Sequence, residues 1–133
     1  MGEVLLYNIP EGEKRRRIFV ATTRLGIRAR DVSAEEYAHP IGWLAGLEGF
    51  APGEKPAGES FADEMLVMCG LPAGKFNAFL DALRASRANV ALKAVLTDTN
   101  AGWNSLELHR AIRAEHEAMR ARAPGSGQGA AKP

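Results

Sequence analysis

Residues 64–96, EMLVMCGLPAGKFNAFLDALRASRANVALKAVL, decide the fold. Residues 64–69 are apolar except for Glu64, the pattern of a strand in a sheet interior covered on both faces. Gly70, Leu71 and Pro72 interrupt that run. Over 73–87, Phe76, Phe79, Leu80 and Leu83 fall at i, i+3, i+4 and i+7, which predicts a helix with one apolar stripe. A further short apolar stretch, 89–96 (NVALKAVL), reads as another strand. Strand, helix and strand at this spacing call for parallel pairing through a right-handed crossover.

The same alternation extends toward the N-terminus. Residues 3–8 (EVLLYN) read as a first strand, ended by Ile9 and Pro10. Residues 12–25 place Ile18, Ala21, Thr22 and Leu25 on one helical face, and Gly26 stands where a left-handed C-terminal cap is needed. Residues 27–32 (IRARDV) carry charge at alternate positions, which suits an edge strand. Ser33 and Glu36 form a capping box, with Val32 and Tyr37 as the apolar staple around it. Pro40 stops the helix that would follow, because it pushes His39 toward an extended conformation. Residues 41–47 fit a further short turn of helix.

Residues 48–63 are rich in Gly, Pro and Glu and read as a long surface loop. On the other side of the deciding stretch, Asn104 and Glu107 form a second capping box, with Trp103 and Leu108 as its staple, so a last helix begins there. The expectation is an α/β three-layer sandwich, with a four-stranded, mostly parallel sheet of order 2-1-3-4 and alternating helices. It forms one domain over 1–121, with a disordered small-residue tail over 122–133. No internal repeat stands out.

Composition narrows the function classes. The chain has 133 residues, 17 basic and 16 acidic, and a net charge of +1. A neutral total supplies no field to draw in nucleic acid or an anionic membrane surface. Lys14, Arg15, Arg16 and Arg17 fan around a helix beside Glu11 and Glu13, so they read as a solvated face. The longest apolar runs fall far short of a membrane span. One cysteine and no recognisable leader point to the cytoplasm.

Chemistry-bearing residues are few. There is no G-x-G-x-x-G and no G-x-x-x-x-G-K-[ST], so no nucleotide motif is present. The histidines lack metal-ligand spacing: His109 and His116 lie seven apart with Arg113 between them, and His39 sits beside Pro40, so solvated or interface roles fit them. No metal and no cofactor is expected. Lys93 interrupts an apolar strand and reads as edge protection. Cys69 ends the third strand just before a helix, where a lowered thiol pKa would make a nucleophile, the weak candidate for catalysis. Its structural alternative is a small buried hydrophobe.

If strands one and three lie side by side and point the same way, their carboxyl ends form one rim where ligands bind in such sheets. That rim would hold Asn8, Gly70, Lys75, Thr97, Thr99 and Asn100. Thr97, Thr99 and Asn100 also have a purely structural reading, as local side-chain bonds in a turn.

The strand at 64–70, the helical FLDALR at 79–84 and above all LKAVLTDTNAGW at 92–103 carry a resemblance. With the helix that ends near Glu115 and His116, they resemble a bacterial domain-of-unknown-function family, number thirty-seven eighty-three. A weaker likeness lies in LLYN and GWLAGLEGF. The resemblance implies a small α/β domain and supplies no activity or ligand to carry over to this chain. Because the residues offer no convergent acid–base or nucleophile set, the leading expectation is a non-catalytic ligand-binding or regulatory module, with a small anionic ligand or a homodimer as its partner. The alternatives are a Cys69-dependent thiol enzyme or redox protein, and a protein-interaction module acting through 48–63, Trp43, Gly42 and Gly46.

Overall fold

The computed structural model describes residues 2–55 and 57–122. The expected tail lies outside the described residues beyond 122. The chain runs β1 (Glu3–Tyr7), α1 (Glu13–Leu25), β2 (Arg28–Asp31), a 3-10 turn (Ala34–Glu36), α2 (Ile41–Leu44), β3 (Met65–Cys69), α3 (Ala73–Ala85), β4 (Leu92–Val95) and α4 (Ser105–Arg122). The four strands form one sheet in the order β2-β1-β3-β4. The edge strands carry charge within their length, β2 with Arg28, Arg30 and Asp31 and β4 with Lys93, whereas the central strands carry it only at the first residue of β1, Glu3.

Alternate side chains of the central strands feed two cores. Val4, Leu6, Leu66 and Met68 face α1 and α3, where Ile18, Phe79 and Leu83 cover them. Leu5, Tyr7, Met65, Val67 and Cys69 face the opposite side, under Ile41, Leu44 and Leu108 of α2 and α4. The result is the three-layer sandwich that continuous apolar strands require.

One expectation fails in an instructive way. β1 pairs parallel with β2, and β3 parallel with β4, but β1 and β3 are antiparallel, with Leu5 opposite Val67 and Tyr7 opposite Met65. The helical crossovers are short enough to enforce parallel pairing within each β-α-β unit. The connection between the units, residues 32–64, is long enough to return the chain in either direction, and its length removes that constraint.

The two units are related by an approximate two-fold axis normal to the sheet, near the Leu5–Val67 pair. Local backbone repeats the relation. Asn8 and Gly70 follow their strands with φ of 60° and 68°, and each is followed by an apolar residue and a proline. Gly26 and Arg87 end α1 and α3 with φ of 69° and 60°. At both ends a Schellman pair closes the helix: Ile27 N–H to Thr22 O (2.8 Å) with Gly26 N–H to Thr23 O (3.2 Å), and Ala88 N–H to Leu83 O (2.9 Å) with Arg87 N–H to Arg84 O (3.2 Å). The repeat is one of backbone conformation, so it leaves little trace in residue identity.

The cap signals elsewhere hold. Asn104 N–H donates to Glu107 Oε1 and Glu107 N–H to Asn104 Oδ1, both at 2.9 Å. Ser33 and Glu36 form their box as well, but Pro40 limits the element to one 3-10 turn. The basic run on α1 is spent on pairs: Lys14 with Glu64 at 2.6 Å, Arg15 with Asp31, and Arg16 and Arg17 with Glu13.

Candidate functional site

Where β1 ends and β3 begins, six side chains from four segments converge: Tyr7, Tyr37, Phe61, Asp63, Ser105 and His109. Tyr7 ends β1 and points into the core under α4. Its hydroxyl shares a 2.7 Å hydrogen bond with Ser105 Oγ, and both residues are fully buried. Ser105 N–H donates to Tyr37 O at 3.1 Å, which fixes the start of α4 over the 3-10 turn. One turn further along α4, His109 is 7% exposed. Its Nε2 lies 2.8 Å from Asp63 Oδ2, and Arg113 Nη1 reaches the same oxygen at 3.3 Å.

Phe61 completes the cluster. Its ring lies parallel to His109, with centroids 3.8 Å apart, and stacks on Tyr37 at 4.8 Å and on Tyr7 at 5.7 Å. Asn8 then ties the loop to the sheet, because its Nδ2 donates to Phe61 O at 2.8 Å and to Asp63 O at 2.9 Å. Burial pushes the Tyr7 and Tyr37 hydroxyls up from their ordinary value. Both therefore stay neutral hydrogen-bonding groups. Ser105 Oγ is enclosed and bonded to a phenol, and His109 Nε2 is bonded to a carboxylate, so this cluster offers no activated nucleophile.

Beside it opens a cleft of about 360 Å³, lined among others by Asp63, Glu64, Arg113, His116, Glu117 and Arg120. Its acids are all engaged within the protein. Asp63 is held by His109 and Arg113, Glu64 by Lys14, and Glu117 by Arg113 at 3.0 Å. Among the described residues Arg120 has no ion-pair partner.

The rim expected from the sequence divides between the two ends of the sheet, because β1 and β3 run in opposite directions. Asn8 stands at the end with Phe61 and Asp63. Gly70 stands at the other, on a pocket of about 100 Å³ with Gly2, Glu3, Arg28, Cys69 and Leu96. Thr97 and Asn100 build the turn after β4. Thr97 N–H donates to Asn100 Oδ1 at 2.9 Å, Asn100 N–H to Thr97 Oγ1 at 3.1 Å, and Asn100 Nδ2 to Val95 O at 3.0 Å. Thr99 is exposed on that turn. Lys75 lies on the α1–α3 side, its Nζ 3.4 Å from where a Cβ on Gly26 would stand. There it offers a cation to the C-terminal end of α1. Arg17 does the same for α3, donating to Ser86 O at 2.7 Å.

Cys69 is 4% exposed, and burial, with the Glu3 charge adding to it, pushes its thiol up to about 12. A helix N-terminus nearby does not offset that desolvation. Lys93 Nζ donates to Val90 O at 2.6 Å, and its own side chain is not in either pocket's lining. The surface loop is tied down at two places besides Asp63. His39 Nδ1 accepts from Gly53 N–H at 2.9 Å, and Phe50 covers Gly42 so closely that a Cβ there would stand 2.6 Å from its ring. The Gly42 surface is thereby closed by the chain itself.

The residues that sequence reasoning missed are Tyr7, Tyr37, Phe61, Asp63, Ser105 and His109. The usable signal was the stripe Ser105, Leu108, His109 and Ile112 at i, i+3, i+4 and i+7. It puts His109 on the buried face of α4, where an imidazole needs a partner; the expected solvated role of His109 is corrected on that ground. The partner itself, 46 positions away, was not readable.

The fold and the cluster define a small α/β protein with a polar-rimmed aromatic site on its α4 side. Residues 64–119, from the residue before β3 well into α4, match the family model described as Domain of unknown function (DUF3783). This is the family to which the LKAVLTDTNAGW segment pointed. No curated protein and no solved structure matches the chain. No described helix is long and apolar enough to cross a membrane. Among the described residues, no group of three or more His, Cys, Asp or Glu side chains is placed to hold a metal ion.

Proposed function

We propose that the chain is a non-catalytic, cytoplasmic ligand-binding or regulatory module, and that it takes a small anionic ligand in the cleft beside α4. One observation carries the reading: among the described residues each carboxylate lining that cleft has a cationic or imidazole partner, Asp63 and Glu117 sharing Arg113, whereas Arg120 has no ion-pair partner and leaves its guanidinium open to an anion. His116, on the same wall, can add a second donor. The rim residues Gly70, Thr97, Thr99 and Asn100 belong to a different end of the sheet, and Asn8 to the strap over the aromatic cluster. The buried, neutral thiol of Cys69 favours this reading over a thiol enzyme.

Thermal unfolding with a panel of inorganic phosphate, sulfate, small carboxylates and nucleotides tests it. At tenfold excess over Kd a specific anion adds about 1.4 kcal/mol of stability, a shift of several degrees for a chain this size. Arg120→Ala should abolish the shift. A panel in which no compound raises Tm by more than about 1 °C would refute an anion-binding cleft.

A further inference from the structure

We propose that Tyr7, Tyr37 and His109 form a stacking slot for a nucleobase, and that Phe61 occupies it as a removable plug. The slot's walls stand without Phe61. Tyr7 lies in a central strand and is bonded to Ser105, Tyr37 O holds Ser105 N–H, and His109 is carried by α4. All three walls are buried, while Phe61 is only half-buried. The ring is presented by a segment that side chains tie down, His39 to Gly53 N–H and Phe50 over Gly42 upstream of it, and Asn8 and Asp63 beside it. Among the described residues, no backbone–backbone hydrogen bond joins 48–62 to the rest of the chain. What retains Phe61 is stacking, the Asn8 amide, the Asp63 contacts and an exposed Arg110–Glu59 pair at 3.4 Å.

Aromatic rings stack on either face of a planar base, a contact worth about 1–3 kcal/mol. A ring held parallel to His109 and near-parallel to Tyr37 already shows the geometry that a base would take. Lifting the strap releases N–H donors at the slot's edge. Asn8 Nδ2 now spends its hydrogens on the carbonyls of Phe61 and Asp63, and His109 Nε2 faces Asp63. Donors along one edge suit a heteroaromatic ring with acceptor nitrogens or carbonyls, which a plain phenyl or indole side chain lacks. Asp63 and Arg113 border both slot and cleft. A base in the slot would therefore direct a phosphate toward Arg120. The nucleotide form of the ligand rests on the anion reading above; the slot itself does not.

Adenosine, which has no phosphate, and inorganic phosphate, which has no base, separate the two. Each is titrated into the full chain and into Phe61→Ala, followed by the His109 ring signals in NMR. Adenosine should shift those signals saturably, and bind Phe61→Ala at least about tenfold more tightly, because no plug has to be displaced. In the wild type it should speed amide exchange over 57–62. A folded Phe61→Ala that shows no saturable shift overturns the slot. If that variant does not fold, the wild-type exchange decides, and unchanged exchange at 57–62 under adenosine overturns it equally. Phosphate binding without adenosine binding leaves the cleft and removes the slot; adenosine binding without phosphate binding does the reverse.

Discussion

The bond between Tyr7 and Ser105 joins the centre of the sheet to the start of α4, and its removal is the most informative perturbation of the site. Both hydroxyls are fully buried and each is the other's side-chain partner at 2.7 Å. Tyr7→Phe leaves Ser105 Oγ stranded in the core, and Ser105→Ala strands the phenol. Leaving one buried polar group unsatisfied costs about 1–3 kcal/mol, whereas removing both partners together is close to neutral. Each single variant should therefore lose about 1–2 kcal/mol, and the double variant no more than the worse single. The coupling energy is then about 1–2 kcal/mol, with the double costing less than the sum. In urea, with a slope of about 2 kcal/mol/M, each single moves the midpoint down by roughly 0.5–1 M. Four equilibrium unfolding curves, read by far-UV circular dichroism, measure the cycle. Additivity within about 0.3 kcal/mol would show that the two hydroxyls do not depend on each other, and the account of how α4 is anchored would be wrong.

Three further outcomes follow from the same contacts. Asn100→Ala removes the amide that accepts from Thr97 N–H and donates to Val95 O at a nearly buried position, and should cost about 2 kcal/mol in urea unfolding while leaving helix content intact. Asn8→Ala and Asn8→Gly both lose the strap bonds, but only alanine keeps the left-handed strain at φ of 60°, so the alanine variant should be about 1 kcal/mol less stable than the glycine one; equal stabilities would refute the strain argument. The Cys69 thiol is raised from 9.0 to about 12 in the folded chain, so its contribution is complete below pH 9 and is lost as pH climbs toward 12, by up to about 1.4 kcal/mol per pH unit. Cys69→Ala should remove that part of the alkaline slope, and the wild-type thiol should resist alkylation at neutral pH until denaturant is added.

What could be read from the residues was whatever is set locally. The stripe in α3, Gly26 after α1, the box at Asn104 and Glu107, and the polar edges of β2 and β4 each depend on neighbours a few positions away, and each is found where the sequence puts it. Even the strand order was legible, since the most continuous apolar strand had to lie inside. The relative direction of β1 and β3 was not, because residues 32–64 separate them and impose no geometry. That one reversal moved Asn8 away from Gly70 and dissolved the expected rim. The aromatic cluster was hidden for a related reason: Phe61 stands in a stretch whose Gly and Pro content reads as exposed loop, and only its distant partners make it part of the core.

The antiparallel join also explains why the site lies where it does. In a sheet whose strands all run one way, the carboxyl ends share a single rim, and the loops there collect ligands. Here each end of the sheet has the carboxyl ends of one unit and the amino ends of the other, and α1 and α3 both cover one face. The opposite face of β1 and β3 has no helix from either unit. It is covered by what falls between and after them: the 32–64 connection, which brings Tyr37, Phe61 and Asp63, and α4, which brings Ser105 and His109. Because these two segments belong to neither repeated unit, their meeting over Tyr7 breaks the two-fold relation at that end. The counterpart of Tyr7 in β3 is Cys69, whose hydrogen bond among the described residues is a weak 3.7 Å contact to Val67 O in its own strand. The asymmetry, and not the sheet alone, is what places the Tyr7 cluster at this end of the sheet.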